Sequence, residues 1–456
     1  MSLDFASLVS GIDSARTIRH SGRVTQVVGL TIESEGPAVS VGHLCQIENL
    51  DNGVRVEAEV VGFRDSRLLL MPLGELKGVT PGAVVTSTGD QLRVPVGREL
   101  IGRAVNGLGR PIDGKGPVAT VETRRIDAAP PEALSRPCIT EPLYTGVKVI
   151  DLTCACGRGQ RLGVFAGSGV GKSVTLGMIA RNSTADVNVI ALIGERGREV
   201  REFIERDLGP DGLARSIVVA VTSDEAPLLR LKGAMTATTI AEHFRDQGLH
   251  VALMMDSITR VAMAQREIGL AIGEPPATKG YTPSVYALLP RLLERAGATE
   301  KGTITGLYTV LVEGDDMNEP VSDLSRSILD GHVSLSRRLA ARNQYPAVDV
   351  LDSISRLMPS VASPEALELA AEVRELYAVF AEAEDHINIG AYTKGSSKEI
   401  DRAINTMSAL NAFFRQGIAE AARYEEALAQ LRELIAESHA SVSSPVPVEA
   451  GKHEKV

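Results

Sequence analysis

The chain has 456 residues, 44% of them hydrophobic, enough to bury more than one core and to divide into two or three domains. A formal net charge of −10 argues against a surface built to hold nucleic acid, and no apolar run approaches the roughly 20 residues of a membrane span. Met1-Ser2-Leu3-Asp4-Phe5 sets no basic stretch before an apolar one, so no secretory leader is expected and the expected location is cytoplasmic.

In chain order, residues 1–21 come first, with Phe5, Leu8, Val9 and Ile12 at three- and four-residue spacing. That is an amphipathic stripe, able either to fold back on the next domain or to dock a partner. From 22 to 96, partly alternating runs (23–30, 54–61, 68–70, 83–86) sit between Gly, Pro, Asn and Asp turn signals and predict a small antiparallel β-barrel. From 97 to 345, buried apolar runs at 189–193, 217–221 and 251–255 alternate with helical stretches, predicting a mostly parallel sheet with crossover helices. Residues 346–437 turn rich in Ala, Leu and Glu, and Leu367, Ala370, Ala371, Leu376 and Phe380 fall at helical spacing. They predict a helical domain. The Ser-, Pro- and Lys-containing tail, 438–456, is expected to be disordered. Cys45, Cys138, Cys154 and Cys156 lack paired C-x-x-C spacing and read as reduced packing residues, not a zinc site.

The chemistry begins at residues 161–165, which read as a strand, followed by Ala166-Gly167-Ser168-Gly169-Val170-Gly171-Lys172-Ser173 and a helix-like run. Glycines let successive backbone N–H groups curl round phosphates, the helix start adds its positive dipole end, Lys172 can bridge the β and γ phosphates, and the Ser173 hydroxyl can ligate Mg²⁺. Ala166 stands where the strict pattern has glycine, so it must adopt a conformation open to any residue. A glycine-rich turn that merely caps a helix is the competing reading, and the Gly-Lys-Ser spacing between strand and helix favours nucleotide binding. The run 189–193 leads into Gly194-Glu195-Arg196, which places Glu195 at a strand's carboxyl end, where it can polarise water beside the cation Arg196. A solvated ion pair is the alternative for that tripeptide. The run 251–255 ends in Asp256, the form of a strand whose carboxylate holds Mg²⁺ directly or through water.

With these motifs, and with 102–114 (GRAVNGLGRPIDG), 194–203 (GERGREVREF) and 345–356 (YPAVDVLDSISR), the chain resembles rotary ATP synthase catalytic subunits and, more closely, the ATPases of type III secretion systems. Ile389-Gly390-Ala391-Tyr392, Gly395-Ser396 and Glu399-Ile400-Asp401 point to the secretion branch, and the segment 165–173 to its flagellar side. The resemblance implies a RecA-like P-loop core between the barrel and the helical domain. It implies an ATP-hydrolysing homohexamer with ATP and Mg²⁺ as its cofactors. It assigns water activation to Glu195, Mg²⁺ to Asp256, adenine stacking to Tyr345, and to Arg356 an arginine finger in the neighbouring subunit's site. Both carry alternatives: Tyr345 could pack a domain joint and Arg356 could bridge a helix carboxylate. It further implies a stator-like regulatory protein at the N-terminus and a central-stalk protein, the latter facing the acidic turn Glu313-Gly314-Asp315-Asp316-Met317-Asn318-Glu319-Pro320. An export gate at the inner membrane's cytoplasmic face, export chaperones and cargo complete the implied partners. An injectisome ATPase or a rotary synthase subunit is the alternative, followed by a non-catalytic ring subunit, which Glu195 counts against, and an RNA-dependent helicase. The barrel's one aromatic, Phe63, is poor support for base stacking.

Overall fold

The computed structural model describes residues 20–443 except 52, 121, 168, 313 and 315, so the stripe at Phe5, Leu8, Val9 and Ile12 and the residues after 443 lie outside the described part. Strands β1 (Ser21–Val28), β2 (Thr31–Glu35), β3 (His43–Glu48), β4 (Arg55–Arg64), β5 (Arg67–Pro72) and β6 (Val84–Gln91) close a barrel in the order β1-β2-β5-β4-β3-β6. Period-two alternation turns Val56, Ala58 and Val60 of β4 into a core with Ile32, Ile47, Leu70 and Val85. Glu59, on the opposite face, is buried against the next domain by an ion pair of 2.6 Å to Lys232.

The central domain is built on a nine-stranded sheet. Its main strands are β7 (Ala104–Val105), β8 (Arg161–Ala166), β9 (Val187–Glu195), β10 (Ser216–Thr222), β11 (His250–Asp256), β12 (Thr303–Leu311), β13 (Gly331–Leu335) and β14 (Val348–Ser355), in the spatial order β14-β13-β8-β12-β11-β9-β10-β7. All neighbours along this path are parallel except β13 and β14. Both faces are covered. Val189, Ala191 and Ile193 join the core under helix α2 (Pro227–Asp246), while Ile190 and Leu192 join the core under α1 (Lys172–Asn182). That two-sided burial is why these strands read as continuous apolar runs.

The segment 102–114 is a structural joint. Arg103 and Asp113 form a bidentate pair at 2.6 and 2.9 Å, Asn106 Oδ1 accepts from Leu108 and Arg110 N–H, and Arg110 reaches Glu57 of the barrel at 2.7 Å.

Three readings need correction. The sheet does not end at 345, because β14 forms its edge; the helical domain follows it as α3 (Pro364–Asn388), α4 (Lys398–Phe414) and α5 (Tyr424–Ser443). Helix α5 crosses the boundary at 437, with Ser438 buried and hydrogen-bonded to Arg402 at 3.0 Å, so tertiary packing overrides the polar composition. Cys45, Cys154 and Cys156 are buried packing residues, but Cys138 is exposed. Among the described residues no helix is long and apolar enough to cross a membrane.

Candidate active site

Parallel pairing brings the carboxyl ends of β8, β9 and β11 to one edge of the sheet, with Leu192 level with Asp256 across β9 and β11. Ligands of open α/β sheets bind there. Strand β8 ends at buried, extended Ala166, which accounts for a residue other than glycine at that position. The loop then turns through Gly169 (φ +80°) and Gly171 (φ +92°), left-handed conformations that favour glycine, and α1 starts at Lys172. Ser173 follows in the helix's first turn and buried Val170 packs into the core beneath. Ser168 is outside the described residues.

Lys172 Nζ lies 2.5 Å from Asp256 Oδ1 and 3.4 Å from Glu195 Oε1. Asp256 is 2% exposed and also accepts from the Thr309 hydroxyl at 2.8 Å. A buried lysine would ordinarily lose its proton more readily; here the burial penalty is outweighed by the charges of Asp256 and Glu195, and the lysine is held protonated. The Glu195 pKa is also raised, to about 7, first by burial and then by the Asp256 charge, against the pull of Lys172, and this rise favours the neutral carboxyl. Its carboxyl is thus poised near neutrality, as a general base requires.

Tyr345 reaches the same loop. Its ring carbons lie 3.6 Å from where a side chain on Gly171 would begin, and its carbonyl accepts from Gln416 N–H at 2.9 Å, tying it to the helical domain. Arg196 does not join the cluster: its guanidinium is exposed, 3.6 Å from Glu199. Arg356 follows β14 and is exposed, its N–H donating to Asp330 O at 2.9 Å, with no ion pair among the described residues. Leu351 and Ile354 on the same strand are 41% and 52% exposed. Of the acidic turn, Asp316 pairs with Lys279 at 3.2 Å and Glu319 caps the helix Pro320–Ile328, accepting from Val321 and Ser322 N–H.

Two arginines escaped the sequence reading. A side chain on Gly167 would meet Arg337 Nε and Nη2 at 2.6 Å, so this guanidinium lies on the phosphate-binding loop and would have to move aside for any side chain there. The stem of Arg260 crosses Gly194 (φ +72°), where a side chain would lie 3.0 Å from it, and its buried Nε has no hydrogen-bond partner among the described residues. Neither stands in a recognisable motif; the only signal for Arg260 is its place four residues after Asp256.

A loop of backbone donors, a lysine clamped by two strand-end carboxylates and an aromatic ring at the helix start define a P-loop nucleotide-binding subunit. The family models agree with this: the nucleotide-binding domain of the ATP synthase alpha/beta family matches residues 146–355, that family's beta-barrel domain 24–89, and the T3SS EscN ATPase C-terminal domain 362–433. The chain belongs to the flagellar and type III secretion ATPases of the ATP synthase alpha/beta family. It is 55% identical over 429 residues to the flagellum-specific ATP synthase of Bacillus subtilis (strain 168), covering 94% of this chain and 98% of that one. It is 49% identical over 410 residues to the type 3 secretion system ATPase of Xanthomonas euvesicatoria, covering 90% and 93%. The solved structure of the assembled ATPase EscN in complex with its central stalk EscO, from enteropathogenic E. coli, superposes with a TM-score of 0.84 at 42% identity, covering 91% of this chain and 100% of that one.

Proposed function

We propose that the chain hydrolyses Mg-ATP to ADP and phosphate as a ring of six identical subunits, and that this cycle energises type III protein export by unfolding cargo or releasing it from chaperones. The observation that carries the reading is how the charged groups divide: Lys172, Glu195 and Asp256 meet within one subunit, while Arg356 stands exposed on the sheet's far edge beside apolar Leu351 and Ile354. This division supports a site completed by a second copy. Identity to a flagellum-specific relative at 55%, against 49% to a secretion-system one, favours the flagellar apparatus over the injectisome. The central stalk of the EscN complex supports a stalk partner here, and the proposed location is the cytoplasmic face of the inner membrane. The stator-like protein, export gate and chaperones belong to the same proposal.

In the mechanism, loop N–H groups and the start of α1 hold the phosphates, and Lys172 exchanges its carboxylate partners for β and γ oxygens. The Ser173 hydroxyl and the Asp256 carboxylate are oxygen donors suited to a hard cation. Mg²⁺ held by these two would neutralise charge on the β and γ phosphates. Glu195 orients the attacking water and takes its proton, Tyr345 stacks on the base, and the neighbour's Arg356 meets the charge that spreads over the γ phosphoryl oxygens.

The test is steady-state ATPase activity against protein concentration, with the mass distribution recorded, for the parent and Glu195→Gln. The expected result is specific activity that rises steeply as rings form and falls by about 10²- to 10⁴-fold in Glu195→Gln. Activity that is flat with concentration, or that survives the substitution, would overturn it.

A further inference from the structure

The strand that carries Arg356 is not a regular ladder. Gly331 and His332 pair with Ser355 and Ile354, then Ser334 and Leu335 pair with Asp349 and Val348, so Val333 alone stands opposite residues 350–353. A bulge of this size leaves backbone carbonyls without ladder partners, and each must find a donor. On the inner side Asp349 and Ser353 stitch the bulge: Asp349 Oδ1 accepts from Leu351 N–H at 3.1 Å, Ser353 Oγ donates to Asp349 O at 2.5 Å, and Ser334 N–H donates to Ser353 Oγ at 3.0 Å. From the helical domain, Arg374 of α3 closes it. Its Nη1 donates to Val350 O at 2.7 Å, and its Nη2 to Ser353 O and Thr153 O at 2.8 Å each. Thr153 ends the helix Lys148–Thr153 that precedes β8. Arg374 makes no ion pair among the described residues; its hydrogen-bond acceptors there are all backbone carbonyls. A planar guanidinium with a fixed fork of donors suits this task, whereas an ammonium is a single point of charge.

We propose that Arg374 is a positioning residue for hydrolysis: it fixes the bulge three residues before Arg356 and so sets where that arginine projects toward the neighbouring subunit's γ phosphate. This rests on Arg356 acting in trans. Since a displacement of about 1 Å can cost about a hundredfold in rate, Arg374→Met is expected to lower kcat about 10- to 100-fold. KM and the affinity for a fluorescent ADP analogue should stay at parent values, because the loop, Glu195 and Asp256 are untouched. Arg374→Lys should recover part of the rate.

The deciding experiment mixes Arg374→Met with Glu195→Gln. The first has an intact site and a misplaced arginine; the second has a dead site and a well-placed arginine. Activity of the mixture well above the sum of the two alone supports the proposal, as does a double variant Arg374→Met/Arg356→Ala no slower than Arg356→Ala. If mixing restores nothing, Arg374 acts on the fold at large and the proposal is overturned. It is also overturned if Arg374→Met runs at the parent rate while Arg356→Ala is impaired. Parent-rate hydrolysis by Arg356→Ala would instead remove the trans reading beneath it.

Discussion

The middle of the sheet and its edge treat charge in opposite ways. At the ends of β9 and β11, Glu195, Asp256 and Lys172 are largely buried and paired with one another, so the cost of desolvation is offset inside one subunit. At β14, Arg356 is exposed and unpaired among the described residues, and the ordering effort goes into the backbone behind it. Groups that must be ready before substrate arrives are preorganised by mutual contact. Arg356, which on the proposed mechanism reaches another subunit, is left uncommitted, on a stiffened support.

The sharpest way to break this contrast is Arg356→Ala. Its expected loss in kcat is about 10³- to 10⁵-fold with nucleotide affinity kept, measured by steady-state kinetics on assembled rings. Glu195→Gln should cost about 10²- to 10⁴-fold, and unlike the Arg356 variant it should not be rescued as a site by any neighbour. The pH profile separates the two regions further. Glu195 must be ionised to act, so kcat/KM should fall as pH drops below about 7, by up to about tenfold per unit. The sign for stability is the reverse: its folded pKa lies above the ordinary 4.5, the native state binds more protons in between, and this group's contribution to stability declines as pH rises from 4.5 to about 7. A chemical-denaturation series over that range checks it. Tyr345→Ala should weaken nucleotide binding by about 1–3 kcal/mol, about 5- to 150-fold, while Tyr345→Phe leaves it unchanged in an equilibrium titration. The smallest effect is expected from Gly167→Ala. The displaced group is the mobile end of Arg337, so roughly a fivefold loss in affinity is expected, with little further loss when Arg337→Ala is added.

What could be read from sequence follows from the range of the interaction. Lys172, Glu195 and Asp256 each sit where an apolar run meets a turn, and a parallel sheet necessarily collects such ends at one edge. The barrel's alternation and the helical domain's spacing were legible for the same local reason. Arg337, Arg260 and Arg374 were not, because each acts through contacts with a glycine or a carbonyl distant in sequence, which leave no periodic trace. Strand β14 was missed because its bulge interrupts alternation at Leu351 and Asp352, and because Tyr345-Pro346 looked like the end of a domain. Arg196 was over-read: adjacency in sequence to Glu195 suggested a shared site, but it sends its guanidinium into solvent.

The bulge in β14 has a further consequence, for assembly. An open sheet edge is a template on which a second strand can grow, and a regular one would let copies of the chain fuse into a continuous ribbon without limit. With residues 350–353 out of register and the carbonyls of Val350 and Ser353 taken by Arg374, no incoming strand finds a full row of partners. What this edge offers a second copy is therefore its side chains, Leu351 and Ile354 among them, not a backbone ladder.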